Sequence, residues 1–222
     1  MNRYQRPPHY VRALRARPWW DPAEFDWCAV LERNFATIQA EYLAAFSASS
    51  ATSVLTVVGG RQECKHDSVL CTAGRWTEAV FYQGGGRVGK TCALFPKTAA
   101  ILSKIGAAVD LAGVGGGETL FSVLAPGTRL RPHTGSSNGR LTCHMGICIP
   151  DGDIKIRVGA EPPRKWTQGK CMVFDDSFEH EVWHNSDAQR VALLINFFHP
   201  DFPVHLRKNA EWQRLSDAGS SR

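Results

Sequence analysis

Two histidines stand where a mononuclear iron site would want them. His133 lies in RPHTGSSNGRLTCH, just after the turn-like segment APGTR, and His180 lies in KCMVFDDSFEHEVW, at the end of an apolar run. A non-haem Fe(II) centre takes two His and one carboxylate from one face and leaves the opposite positions open for co-substrate and O2. The acid normally follows two residues after the first His, which in a strand returns it to the same face. Here the triplet is His133-Thr134-Gly135, so water has to fill the third position. A single strand-borne His facing inward is more often a satisfied core residue. The pair carries the reading, because the chain between them is long enough for several strands and a jelly roll brings such distant strands together.

Arg190 opens RVALLINFF, a strand otherwise too apolar to welcome a charge. A buried guanidinium needs an anionic partner, and a dicarboxylate supplies one through arginine's two-pronged fork. The plainer alternative is an Arg paired with Asp or Glu at a strand end. Asp175, Asp176 and Glu179 lie close to His180 and either tune the site or belong to a surface loop.

The segments RPWWDPAEF, WTEAVFYQGG, FPKT, APGTRLRPHTG, CHMGICIP, KWTQGKCMVFDDSFEHEVWHN and RVALLINFFHPDF run in this order from residue 17 to about residue 202. Their order and spacing resemble the aspartyl/asparaginyl β-hydroxylase family of 2-oxoglutarate oxygenases, which also carries HxG in place of HxD. The resemblance implies a mainly β chain, a double-stranded β-helix (the cupin-like jelly roll) with flanking N-terminal helices. It implies Fe(II) held by His133 and His180 as the catalytic centre, with 2-oxoglutarate and O2 as co-substrates. Arg190 and Ser122 match the residues that hold the distal carboxylate of 2-oxoglutarate, and His144 matches a histidine that contacts the cosubstrate near the metal. Arg140 matches a residue implicated in holding an acidic substrate. The implied reaction hydroxylates a C–H bond with release of succinate and CO2. Its target in the best-known relatives is the β-carbon of Asp or Asn in a protein, and in others a lipid acyl chain. One departure stands out: the family arginine two residues before His144 is Thr142 here. A hydroxyl cannot replace that charge, which leaves open a jelly-roll binding protein that no longer turns over. Lumenal members carry a disulfide around FPKT; Cys92 is present, but Ala99 takes its partner's position, so that bridge is not expected.

These residues need a scaffold. With 222 residues, 43% hydrophobic and 21% charged, the chain is long enough for one substantial core and too apolar for disorder. Residues 1–16 read as a basic, solvated leader and residues 17–222 as a single jelly-roll domain with a helical N-terminal part. The leader supplies much of the net charge of +5. Without interleaved aromatic platforms or a nucleic-acid motif, no nucleic-acid partner is expected. No stretch reaches the ~18 apolar residues that span a bilayer, and no apolar signal region opens the chain. Seven cysteines, an odd number, and no N-x-S/T sequon favour a reducing, cytoplasmic setting.

Asp21-Pro22 is a helix start signal, followed by Phe25, Val30, Leu31, Phe35, Ile38, Tyr42 and Phe46 at helical spacing. A second helix is expected over Cys92 to Ile105. Between and after them come short apolar runs divided by Gly and Pro: SVLTVV, WTEAVFY, TLFSVL, LTCHMGICI, IKIRV, CMVF, HEVWHN and RVALLINFF. This pattern predicts an antiparallel sandwich or barrel.

Two motifs compete. Gly84 to Thr91 satisfies G-x-x-x-x-G-K-[ST], which alone would name a nucleotide-binding P-loop. Pro96 soon after it and the missing βαβ alternation favour a hairpin tip near the substrate entrance instead. Cys64-Lys-His66 with Cys71 hints at a zinc or iron–sulfur knuckle, but a fourth ligand is not evident. His199-Pro200 and the residues Trp19, Trp20, Trp76, Trp166 and Trp183 are read as structural.

Overall fold

The computed structural model describes residues 3–47, 53–58 and 70–207. Cys64 and His66 lie outside the described residues. Asp21 accepts a hydrogen bond from the Ala23 amide and caps a single 3-10 turn at Pro22–Glu24. Helices α1 (Asp26–Arg33) and α2 (Phe35–Ser47) follow almost continuously. The break falls at Asn34, whose side-chain amide turns back onto the Val30 carbonyl, the local competition that disfavours Asn inside helices.

Two antiparallel sheets face each other. The larger has the order β1-β11-β8-β13-β6-β4-β2, with β5 paired to β4. Its strands are β1 (Trp19–Trp20), β2 (Thr56–Val57), β4 (Trp76–Gln83), β5 (Gly86–Arg87), β6 (Thr119–Leu124), β8 (Arg140–Cys148), β11 (Cys171–Phe174) and β13 (Arg190–Phe198). The smaller has the order β10-β9-β12-β7-β3. It is built from β3 (Cys71–Ala73), β7 (Arg129–His133), β9 (Asp153–Val158), β10 (Arg164–Lys165) and β12 (His180–Asn185). This is the expected jelly roll, and the long apolar runs of the sequence are its strands.

The runs are apolar throughout because β6, β8 and β13 are covered on both faces, which removes the usual alternation. On the outer face Leu141, Cys143, Met145, Leu193, Ile195 and Phe121 meet the helices. On the inner face Leu124 and Phe174 meet Ile154, Ile156, Val158 and Val182 of the smaller sheet. In the outer core Cys28, Cys143 and Cys171 bring their sulfurs within 4.8 Å of one another. Cys92 is free and buried, directed at the Phe81 carbonyl.

The single helix expected over Cys92 to Ile105 is instead three short ones: α3 (Gly89–Leu94), α4 (Pro96–Leu102) and α5 (Gly106–Gly113). Pro96 cannot continue α3 but suits the first position of α4. The carboxylate of Glu41 on α2 accepts from the Lys97 and Thr98 amides, each at 2.7 Å, and so satisfies the exposed start of α4. Gly84 and Gly85, both at positive φ, make the turn between β4 and β5. Because β4 runs antiparallel to its neighbours and Thr91 is buried in α3, the P-loop letters do not form a phosphate cradle.

The basic leader is not a solvated extension. Gln5 is 1% exposed, bridges to Phe178, and donates to Asp175 at 3.1 Å and Ser177 at 3.0 Å. Arg15 forms a fork with Asp201, and the Val11 amide donates to Asn138. The leader is tied down because the turn before β12 carries a buried acid, Asp175, that needs donors.

Gln5→Ala should lower stability by about 1–3 kcal/mol, the cost of stranding buried polar partners, read as a lower urea midpoint with an unchanged slope. Burial raises Asp175 from 3.8 to about 7 despite donors from Ser177 and Gln5. The folded chain therefore holds this proton more tightly than the unfolded one, and the associated stability is full below 3.8 and lost as pH rises through about 7. Asp175→Asn should remove that decline, so the difference in midpoint between variant and parent should shift in the variant's favour from pH 4 to pH 8.

Candidate active site

The APGTR segment is a true turn: Gly127 adopts φ 73°, and the Thr128 amide and hydroxyl both bond back to the Ala125 carbonyl. It reverses the chain into β7, which pairs with β12 so that His133 lies directly opposite His180. Their ring centroids are 4.1 Å apart. Each Nδ1 donates to the carbonyl two residues earlier, His133 to Arg131 at 2.7 Å and His180 to Phe178 at 2.9 Å. With Nδ1 protonated, each ring keeps its Nε2 lone pair free of its own proton, the tautomer a metal requires. Burial, with the neighbouring His133 adding to it, pulls His180 down to about 4, so the ring is neutral at physiological pH.

Among the described residues no third ligand joins them. Among the described residues the three cysteines above are the only trio of donor atoms within 4.8 Å. The space an acid would need at position 135 is taken: a Cβ on Gly135 would collide with the Asp176 carboxylate, and the Gly135 amide donates to the Asp176 carbonyl at 2.7 Å. Asp176 is itself held by Arg140 at 2.7 Å. The two imidazoles therefore suit a metal whose remaining positions are filled by small molecules.

The pair opens onto a cavity of about 400 Å³ between the sheets. Arg190, Ser122, His144 and Arg140, all singled out from the sequence, line it together with both histidines. None of Gly84 to Thr91 does. Arg190 is 1% exposed; its Nη1 donates to the Ser122 carbonyl and hydroxyl at 3.1 and 3.3 Å, and its Nε has no partner among the described residues. No carboxylate pairs with it among the described residues, and burial alone pulls it down to about 9. A guanidinium keeps its proton in practice, so burial leaves a charge that an anion would satisfy.

Two tryptophans read as packing residues turn out to position this end of the cavity. Trp76 donates to the Ser122 hydroxyl at 3.1 Å. With Trp76 and Arg190 filling both acceptor sites of that oxygen, its proton is left for a ligand. Trp166 donates to His144 Nδ1 at 3.3 Å and lies under Arg190, 4.5 Å from the guanidinium carbon. His144 Nδ1 is thus an acceptor, which puts its proton on Nε2, a buried atom without a partner. Burial, reinforced by Arg190 and His180, holds His144 well below its ordinary value and so neutral. Nothing in sequence spacing marks either indole; only the register does.

Thr142, the site of the missing arginine, accepts from Asn196 Nδ2 at 2.9 Å, and Asn196 Oδ1 accepts from the Glu118 amide at 3.1 Å. Glu78 and Glu118, which were not singled out, also line the cavity.

A family model for aspartyl/asparaginyl β-hydroxylases matches residues 32–200. The human aspartyl/asparaginyl β-hydroxylase is 33% identical over 209 residues, covering 93% of this chain and 26% of its own length. The ornithine lipid ester-linked acyl 2-hydroxylase of Rhizobium tropici is 29% identical over 185 residues, covering 82% of this chain and 61% of its own. Among solved structures, a prolyl hydroxylase from Trichoplax adhaerens covers 78% of this chain and 90% of its own at 11% identity and a TM-score of 0.46. The chain thus spans about a quarter of the length of the human relative. On the family match and this identity, the chain belongs to the aspartyl/asparaginyl β-hydroxylase family.

Proposed function

We propose that the chain is an Fe(II)- and 2-oxoglutarate-dependent dioxygenase that hydroxylates a C–H bond of its substrate. The observation that carries this reading is Arg190: a buried cation with no carboxylate partner among the described residues, lining a cavity that also holds the paired imidazoles of His133 and His180. His133 and His180 would hold the iron through Nε2. When bound, iron and 2-oxoglutarate supply O2 activation coupled to decarboxylation, yielding succinate and CO2. The protein's part is placement. Arg190 and the Ser122 hydroxyl take the distal carboxylate of the diacid, and His144 offers its Nε2 proton nearer the metal. Trp166 and Phe174 close the apolar wall around them, which excludes water and strengthens each charged contact.

Carried over from the family, the target is the β-carbon of Asp or Asn in a protein, and the Rhizobium tropici relative names a lipid acyl chain as the alternative. Arg140, the expected anchor of an acidic substrate, has its charge taken up by Asp176, so the cavity lends the Asp reading little support. The reading of a binding protein without turnover rests on Thr142, whose hydroxyl brings no charge; the imidazole pair and the Arg190 end favour turnover.

His133→Ala and His180→Ala should each reduce Fe(II)-dependent succinate release to background while leaving thermal unfolding near that of the parent; retained activity in either would contradict the ligand assignment. Arg190→Ala should raise the 2-oxoglutarate concentration for half-maximal turnover at least ~10-fold, as expected for losing charge-assisted hydrogen bonds. Trp76→Phe should raise it about fivefold, with little change in kcat, through loss of one bond that orients Ser122.

A further inference from the structure

Along β13 the inward positions run from Arg190 past Leu194 to Asn196, a distance of about 20 Å at strand rise. A five-carbon diacid anchored at Arg190 covers only part of it. The rest belongs to the substrate, and its wall can be read for charge. Arg140 and Asp176 neutralise each other. Thr142 and Asn196 bond to each other and bring no charge. What is left is Glu118, at the Asn196 end, and Glu78, directly across the ladder from Ser122 and so on the flank of the diacid's anchored end. Both are partly buried, both line the cavity, and neither carboxyl has a hydrogen bond or ion pair among the described residues.

Burial raises Glu78 to about 8, with Glu118 adding to it, and burial also raises Glu118 against the pull of Arg140. Both carboxyls are therefore disfavoured as anions while the cavity holds only protein, and a cation arriving between them would reverse that cost. An acidic guest would gain nothing from these carboxyls, and the nearby Arg140 is already held by Asp176. We infer that the substrate carries a protonated amine or guanidinium, seated against Glu118 and Glu78. This rests on the dioxygenase reading for the reaction, but not for the binding. The same cation is offered by a free basic amino acid and by a basic side chain in a peptide.

The test uses the full chain loaded with Fe(II) and 2-oxoglutarate. Binding of L-arginine, L-lysine, L-aspartate and the blocked tripeptides Ac-Ala-Arg-Ala-NH2 and Ac-Ala-Asp-Ala-NH2 is measured anaerobically by calorimetry, and succinate release is measured after admitting O2. At least one basic compound should bind ~10-fold or more tightly than its acidic counterpart and stimulate succinate release. The free and blocked arms identify its source. Glu78→Gln/Glu118→Gln should weaken that binding at least ~10-fold, and Thr142→Arg, which sets a charge beside the Glu118 end, should weaken it likewise. If the double variant does not fold, Glu118→Gln alone should still weaken it by a measurable factor, about threefold or more. Acidic compounds binding as tightly as basic ones, no basic compound binding, or basic binding unchanged in the variants would each overturn the inference. Basic binding without succinate from any arm would leave it standing and remove the dioxygenase reading instead.

Discussion

Everything at this site depends on one strand pairing. β7 and β12 meet in the smaller sheet with His133 opposite His180, and a register irregularity between His180 and Val182 lets the remainder of β12 continue in step with both neighbours. Side chains alternate between faces, so a slip of one residue would send one imidazole to solvent and dissolve the pair. Register is secured by apolar residues on the same inward face, Leu130, Ile156 and Val182, which must be buried against the larger sheet. The chemistry is thus held by hydrophobic burial some residues away from it, at roughly 1.5–3 kcal/mol for each large side chain.

A second constraint is electrostatic. The interior treats two arginines in opposite ways: Arg140 is matched by Asp176, whereas Arg190, among the described residues, meets only neutral oxygens and the face of Trp166. A protein can leave a guanidinium unmatched inside itself only at a cost in stability, and such a cost persists where a ligand removes it. Stability and recognition are therefore opposed at Arg190, with its cushion of Trp166 and Ser122 limiting how much is lost while the site is empty of an anion.

Much of this was readable from the residues because the signals were strong and local. Runs of four to nine apolar residues bounded by Gly or Pro became the strands, and Arg190 stood out because a charge breaks such a run. What escaped was non-local. The leader's positive charge suggested solvation, yet Gln5, a neutral residue, decided its placement by satisfying Asp175 across the fold. Helical spacing from Cys92 onwards ignored Pro96, which splits the segment. Trp76 and Trp166 looked like packing residues because an indole's single donor leaves no trace in spacing. Glu78 sat in a strand pattern that alternates ordinarily, with nothing to say which face was the cavity.

Gly135 carries a consequence for how such sites diverge. The Asp176 carboxylate, on the turn before β12, occupies the volume that a side chain at the third residue of the H-x-x triplet would need. Grafting an acid onto position 135 would evict Asp176 and leave Arg140 with an orphaned charge. An acid at the triplet is therefore out of reach of a single substitution: glycine at the triplet, aspartate on the turn and arginine on β8 form one interlocked unit that must be exchanged together.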